Sequence, residues 1–417
     1  MLDRELLRNE SERVREAAEL KNEPCLIDEW LGADAERRSL LVEMEDLRKR
    51  RNELSQTVST IRKQGGDASA AMEESRQVGE HIPALERRVS ALEAEMEAIE
   101  LGFPNIPDPG VPRGRDATSN VIVREVGVPV RHEHPLPHWE LLKGFLDPDA
   151  SGRIAGSNFI LFRGPLARLQ RHLISWMLER HFASGMEEIW APFVARSESM
   201  TATGQLPKLG AEMYKLEHDD MYLVPTGEVP ITNLYREAVI DEERLPIRLC
   251  GYTPCFRREA GSYGKDTRGL NRVHQFEKVE MVRLEHPDRS EAALEEMVRS
   301  AEALLQELGL AYRVVKLSTG DLSFSAAMCY DLEIWSAGQE KWLEVSSVSN
   351  FRDFQARRGH IRFRPSGGGR LRLVHTLNGS GLALPRLISA LSEAAQAGPY
   401  PPQVEEWAEG LIARLKA

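Results

Sequence analysis

The stretch FRREAGSYGKDTRGLNRVHQFEKVE, residues 256–280, sets arginines, carboxylates and an aromatic ring on two segments either side of a glycine-rich loop. In a strand, side chains alternate faces. Read as two strands, the stretch puts Arg257 and Glu259 on one face of the first, and His274, Phe276, Lys278 and Glu280 on one face of the second. The loop between them, Ala260 to Leu270, holds three glycines with Lys265, Asp266 and Arg268, and reads as a mobile basic flap. Guanidinium groups suit phosphate, a ring stacks on a base, and a carboxylate accepts from an ammonium or a hydroxyl. Together they suit a site for a nucleotide and an amino acid. Taken one at a time, the same residues fit a polar sheet face with cross-strand ion pairs. Their joint appearance favours the site.

Such residues need a scaffold, and the chain beyond residue 116 reads as mixed α/β. Leu166, Leu169, Leu173, Met177 and Leu178 form the apolar stripe of a helix. GMEEIWAPFVA, residues 185–195, follows as a turn and a strand closed by Pro192. Alternating segments at 221–225, 247–257, 271–284 and 341–350 are separated by turns or short helices. That pattern predicts a mainly antiparallel sheet with helices against it, an α+β fold. Residues 290–308 read as a further amphipathic helix, and 381–395 as a last one after a glycine-rich approach.

The first hundred residues differ. Leu40, Met44, Leu47, Leu54, Val58 and Ile61 fall at heptad spacing, with Arg51 in the polar slot, and so do Val78, Ile82, Leu85, Val89, Leu92, Met96 and Ile99. Two such series mark a coiled-coil seam. Lys63-Gln64-Gly65-Gly66-Asp67 between them is a turn signal, so the limbs run antiparallel as a hairpin. Limbs of about 28 residues should project roughly 40 Å, with a kink or break at Pro83. The outer faces carry Arg48, Lys49, Arg50, Arg51, Arg62, Lys63, Arg76, Arg87 and Arg88 among interleaved glutamates. They fit a salt-bridged solvent face, contact with RNA phosphates, or a dimerisation arm. LGFPNIPDPGVPRGRD, residues 101–116, is a proline-rich spacer. The expected domains are 1–104, a linker at 105–116, and 117–417.

The totals bound the function class. A chain of 417 residues that is 41% apolar supports two or three cores. A net charge of −11 argues against nonspecific nucleic-acid binding by the whole surface, though not against a local basic patch. No run of 18 apolar residues predicts a membrane span, and the charged N-terminus lacks the apolar core of a secretion signal, so a cytoplasmic location is expected. Cys25, Cys250, Cys255 and Cys329 contain no Cys-x-x-Cys pair, which disfavours structural zinc or a disulfide framework.

TPCFRREAGSYGKDTRGLNRVHQFEKVE closely resembles motif 2 of the seryl-tRNA synthetases of the bacterial type, a branch of the class II aminoacyl-tRNA synthetases. PTGEVPITNLYRE (225–237) resembles the family's serine-binding loop, and EKWLEVSSVSNFRDFQARR (340–358) its ATP and metal strand. HTLNGSGLALPR (375–386) resembles motif 3, and GMEEIWAPF (185–193) motif 1, the family's dimer interface. The N-terminal hairpin matches the family's tRNA-binding arm in place, length and turn. Nearly the whole chain is covered, and several motifs in the right order are far more specific than one glycine motif.

The resemblance implies an antiparallel sheet of about six strands, a homodimer, and a two-step reaction with ATP, Mg2+ and L-serine that charges tRNA(Ser) and also tRNA(Sec). It places Arg257 on the α-phosphate and Arg386 on the γ-phosphate, with Glu344 as the third catalytic residue. The ATP site would draw on Arg257, Arg258, Glu259, Val273, Phe276, Glu344, Val345, Ser346, Ser347 and Arg386, with Phe276 stacked on adenine and Glu344 and Ser347 holding the metal. The serine pocket would draw on Thr226, Gly227, Glu228, Glu280, Asn378 and Ser380. Glu280 is matched to the serine hydroxyl, while the choice between Glu228 and Glu280 for the ammonium stays open. On the arm, Arg48, Arg51, Arg62, Lys63 and Arg76 are assigned to tRNA. Departures from the family pattern are Gly227 where alanine is commoner, Val348 for cysteine, and Pro385 before Arg386. They remove no ligand. A carrier-loading relative would lack the arm, an inactive RNA-binding paralogue would have lost Arg257, Glu344 or Arg386, and a sister enzyme for threonine, proline or glycine would lack both hairpin and Glu280 pocket.

Overall fold

A computed structural model describes residues 1–260, 268–398 and 403–416. The chain divides into two units, Met1–Glu19 with Glu23–Pro104, and Leu20–Asn22 with Asn105–Ala417. No helix among the described residues is long and apolar enough to cross a membrane.

In the first unit, helices Ile27–Lys63 and Ser69–Glu100 pair as the hairpin. They have 37 and 32 residues, longer than expected, and at 1.5 Å per residue span roughly 55 and 48 Å. Gly65 reverses the chain at φ +72°, a conformation that favours glycine. Met44, Leu54, Ile82, Val89, Leu92 and Met96 are buried in the seam, whereas Leu40, Leu47, Val58 and Ile61 stay partly exposed, as one helix can cover only one stripe of another. The expected break at Pro83 is absent, because the second limb runs through it. Pro83 lies on the exposed side, so its ring removes one backbone hydrogen bond while Ile82 keeps its place in the seam.

Two buried carboxylates fasten the base of the hairpin. Glu100 accepts from Arg4 Nε at 2.7 Å and Trp30 Nε1 at 2.9 Å. Asp34 accepts from Arg8 Nε at 2.6 Å and Arg38 Nε at 3.0 Å. Removing either set of donors would strand a buried charge, a loss of about 3–5 kcal/mol.

The second unit is built on an eight-stranded sheet. Its strands are Val121–Val126 (β1), Glu187–Glu188 (β2), Ile247–Phe256 (β3), Gln275–Glu285 (β4), Tyr312–Lys316 (β5), Met328–Ser336 (β6), Lys341–Asn350 (β7) and His375–Ala383 (β8). They lie in the order β1-β5-β6-β7-β8-β4-β3-β2. All neighbours are antiparallel except the short β2, which pairs parallel to β3. The sheet is therefore wider than the six strands expected. Helices Pro165–Ala183, Ser290–Leu308 and Leu384–Ala394 supply Leu169, Leu173, Leu294, Val298 and Leu387 to a core shared with Met281, Val348, Leu377 and Leu382 of the strands. The helix at Leu384–Ala394 is not the last: Val404–Lys416 follows and adds Leu411 and Ile412 to that core.

Candidate active site

One cavity of about 540 Å³ lies in the second unit, lined by β4, β7, β8 and the segments around Thr226, Arg257 and Asn271. Alternation explains β4, where Phe276, Lys278 and Glu280 face the cavity while Val279 and Met281 face the core. It does not explain β7 and β8. In β7, Glu344 and Ser347 both line the cavity although an odd spacing should set them on opposite faces. A bulge between Glu344 and Ser346 shifts the phase by one residue. A matching shift between Ser380 and Leu382 in β8 lets Asn378, Ser380 and Ala383 all line the cavity.

Most of the expected site residues meet here: Thr226, Glu228, Arg257, Glu259, Val273, Phe276, Glu280, Glu344, Val345, Ser347, Asn378, Ser380 and Arg386. Three do not line the cavity. Arg258 turns away, with its guanidinium carbon 5.8 Å from the centre of the Tyr214 ring. Ser346 points off the cavity face and donates its hydroxyl to the Ser380 carbonyl at 2.6 Å, tying the two bulges together. Gly227 sits behind the pocket at an ordinary helical φ of −64°. Its role is space, since a Cβ there would lie 2.9 Å from the Cβ of Glu280. The shared strand face expected for Arg257 and Glu259 is also corrected. β3 ends at Phe256, and Glu259 reaches the cavity through a left-handed turn at φ +50°. His274 stands just before β4, bonded to the Tyr214 hydroxyl at 2.8 Å. Residues 261–267 of the expected flap lie outside the described residues.

At one end of the cavity the carboxylates differ in company. Glu280 pairs with the Lys278 ammonium and accepts from Thr226 Oγ1 at 3.1 Å and Asn378 Nδ2 at 3.2 Å. Lys278 also donates to Thr226 Oγ1 at 2.9 Å. Glu228 accepts from the amides of Gln205 and Gln355 and pairs with no cation among the described residues. Burial, reinforced by the charge of Glu280, pushes the Glu228 carboxyl up to about 7. Lys278 lies on the face that strand alternation predicts, and its place beside Glu280 emerges only in the fold; Gln205 and Gln355 are brought to Glu228 from distant segments by folding.

At the other end, Arg257 Nε donates to the Pro225 carbonyl at 3.2 Å, and its guanidinium lies 5.2 Å from the Phe276 ring centre. Arg386 stands in the first turn of the Leu384–Ala394 helix, where Pro385 is well placed because that turn's N–H groups lack helical partners. Arg386 donates through Nη1 to the Glu344 carbonyl at 2.7 Å and through Nε to the Asn271 carbonyl at 3.3 Å. Its Nη1 is also 3.4 Å from the Glu344 carboxylate. For a magnesium ion, Glu344 and Ser347 offer a carboxylate and a hydroxyl on one lining. No group of three acids, histidines or cysteines that could cage a metal occurs among the described residues. Two protein oxygens fit an ion that keeps waters and takes its other ligands from phosphates.

Residues 1–107 match the seryl-tRNA synthetase N-terminal domain, and residues 214–395 match the class II tRNA synthetase core domain of the G, H, P, S and T type. A serine–tRNA ligase of Thermomicrobium roseum is 49% identical over 400 residues, covering 95% of this chain and 90% of its own. The seryl-tRNA synthetase of Pyrococcus horikoshii, solved in complex with ATP, is similar at a TM-score of 0.92 and 34% identity over 98% of both chains. A cytoplasmic serine–tRNA ligase of Naegleria fowleri in complex with AMP is similar at 0.87 and 28% identity, again over 98% of both.

Proposed function

The chain belongs to the seryl-tRNA synthetase family of ATP-dependent ligases, and from that premise we propose that it charges tRNA with L-serine in two steps within this cavity. The serine carboxylate attacks the α-phosphorus of ATP, forming seryl-adenylate and expelling pyrophosphate. A hydroxyl of the terminal tRNA ribose then takes the seryl group, releasing AMP. The carboxylate nucleophile is already ionised at neutral pH, so no protein nucleophile or base is needed for the first step. Catalysis reduces to positioning and to neutralising phosphoryl charge.

In this reading Arg257 stabilises the α-phosphate and Arg386 the far end of the triphosphate. Phe276 stacks on adenine, with Glu259 and Val273 beside it. Glu344 and Ser347 would hold a magnesium ion, which supplies further neutralisation of the phosphates when bound. Thr226, Glu228, Glu280, Asn378 and Ser380 form the serine pocket. Glu280 accepts from the serine hydroxyl, so alanine would leave a buried acceptor unpaired. The arm reads tRNA(Ser) and tRNA(Sec) by backbone shape. The active form is a homodimer through the 185–193 segment, and the setting is the cytoplasm.

The observation that carries the reading is the convergence of Arg257, Arg386, Glu344, Glu228 and Glu280 on one cavity. Pyrophosphate exchange measured with each of the twenty amino acids tests it. Serine alone should support rapid exchange; a clear preference for any other amino acid overturns the assignment.

A further inference from the structure

A buried polar network links the C-terminal end of the loop that leads into β4 to the helix that carries Arg386. His138, at the start of the short helix His138–Leu141, is fully buried. Its Nε2 lies 2.8 Å from the Leu270 backbone nitrogen, which can only donate. Nε2 is therefore the acceptor, and Nδ1 carries the proton of the neutral ring. Nδ1 in turn faces Glu393 Oε1 at 3.0 Å and Ser389 Oγ at 2.7 Å, both able to accept.

Glu393 is itself buried, on the same helix as Arg386. Burial pushes its carboxyl up, but donors from His138 and Ser336 outweigh that and hold it below its ordinary value. Gly338 N and Gln339 Nε2 add bonds at 3.0 Å each. Gln339 Oε1 then accepts from Asn271 Nδ2 at 2.7 Å. Asn271 closes the circuit, because its carbonyl is an acceptor for Arg386 Nε.

The loop end is shaped to admit the histidine. Gly269 adopts φ +70°, and a Cβ there would lie 2.2 Å from His138 Nε2. Next to it, Arg268 packs its guanidinium 5.0 Å from the Trp139 ring centre and pairs with Glu140 at 3.1 Å. Three consecutive residues, His138 to Glu140, thus clasp Arg268 to Leu270.

We propose that His138, held in its Nδ1–H tautomer by Glu393, is a positioning residue for Arg386: it pins Leu270 and Asn271 so that the Asn271 carbonyl orients the guanidinium toward the triphosphate. The proposal rests on the reading of the cavity as an ATP site. His138 touches no reacting atom and acts only through the loop end.

The test compares the full-length wild type with His138→Phe, which fills the space without an acceptor, His138→Gln, which restores one, and Gly269→Ala, which crowds the contact from the loop side. ATP and serine kinetics are read by pyrophosphate exchange, and protection of the Leu270 amide by hydrogen exchange without substrate. His138→Phe and Gly269→Ala should lower kcat/KM for ATP about 10- to 100-fold, the scale of misplacing a positioned group by about 1 Å. The KM for serine should stay within about twofold, Leu270 should lose protection, and His138→Gln should recover most of the loss. Wild-type ATP kinetics in both disruptive variants, or an equal rise in both KM values, overturns the proposal. Gly269→Ala changes no buried side chain's identity while displacing the contact, and decides the matter if His138→Phe does not fold. An inactive wild type would fail the ATP reading, whereas unchanged Leu270 protection would fail the clasp.

Discussion

Glu228 and Glu280 line the same cavity but keep different company. Glu280 has the Lys278 ammonium as a direct partner, while Glu228 is bonded to the amides of Gln205 and Gln355, and burial with the charge of Glu280 outweighs the more distant Lys278 and Arg257. With its carboxyl pushed up to about 7, Glu228 is mostly neutral at pH 6 and mostly ionised at pH 8. Only the ionised form attracts the serine ammonium strongly. The KM for serine should therefore rise about tenfold for each unit below pH 7, and Glu228→Gln should flatten that slope. A slope that survives the substitution shows that Glu228 does not set it. For stability the sign is the opposite of the usual carboxylate case. The folded chain keeps a proton that the unfolded chain releases from its ordinary value of 4.5 upward, so this group's stabilising contribution falls as pH rises from 4.5 to about 7.

Among the elements, the paired bulges and the hairpin arm show how local chemistry and tertiary contact divide the work. The Ser346 hydroxyl satisfies the Ser380 carbonyl at the matching bulge, so the strand that carries Glu344 and Ser347 is tied to the one that carries Asn378 and Ser380. On the arm, Arg48 pairs with Glu86 at 2.7 Å and Arg76 with Glu73 at 2.6 Å, while Arg62 Nη2 rests on Met72 Sδ at 2.9 Å. Arg51 and Lys63 are exposed. Exposed pairs are weak enough to exchange for phosphate, so these pairings do not oppose the proposed tRNA contacts of the five. Because Glu100 and Asp34 fasten the base, the arm is best shortened above them. Replacing residues 42–88 with a short glycine-serine turn should lower tRNA charging at least about 100-fold, as lost phosphate contacts would. Serine-dependent pyrophosphate exchange should stay within about twofold; equal loss of both activities refutes this division.

Over the whole molecule, the second unit leaves large aromatics uncovered. Trp190 is 73% and Phe182 61% exposed, with Trp190 leaning on Phe193 and Tyr252 at 6.4 and 6.0 Å between ring centres. Exposed aromatic clusters mark interfaces, and Trp190 and Phe193 lie within the 185–193 segment read as the dimer contact. Trp190→Asp should reduce the solution mass in light scattering to that of one chain. An unchanged mass refutes this segment as the contact of the proposed homodimer.

The repeating spacings of apolar residues were enough to place the helix at Ser290–Leu308 and the two limbs of the hairpin, because periodic burial is a local property. Most of the ATP- and serine-site residues that the quoted motifs named line the cavity, while Gln205, Met213 and Ser325 reach it from segments those motifs leave out. Other features arose from contacts between distant segments. The phase shifts in β7 and β8 depend on partner strands across the fold. So does the bond between His138 and Glu393, which lie 255 positions apart. A side chain's periodicity is written along the chain; the partner that satisfies its polar atoms is chosen only when remote segments pack and exclude water.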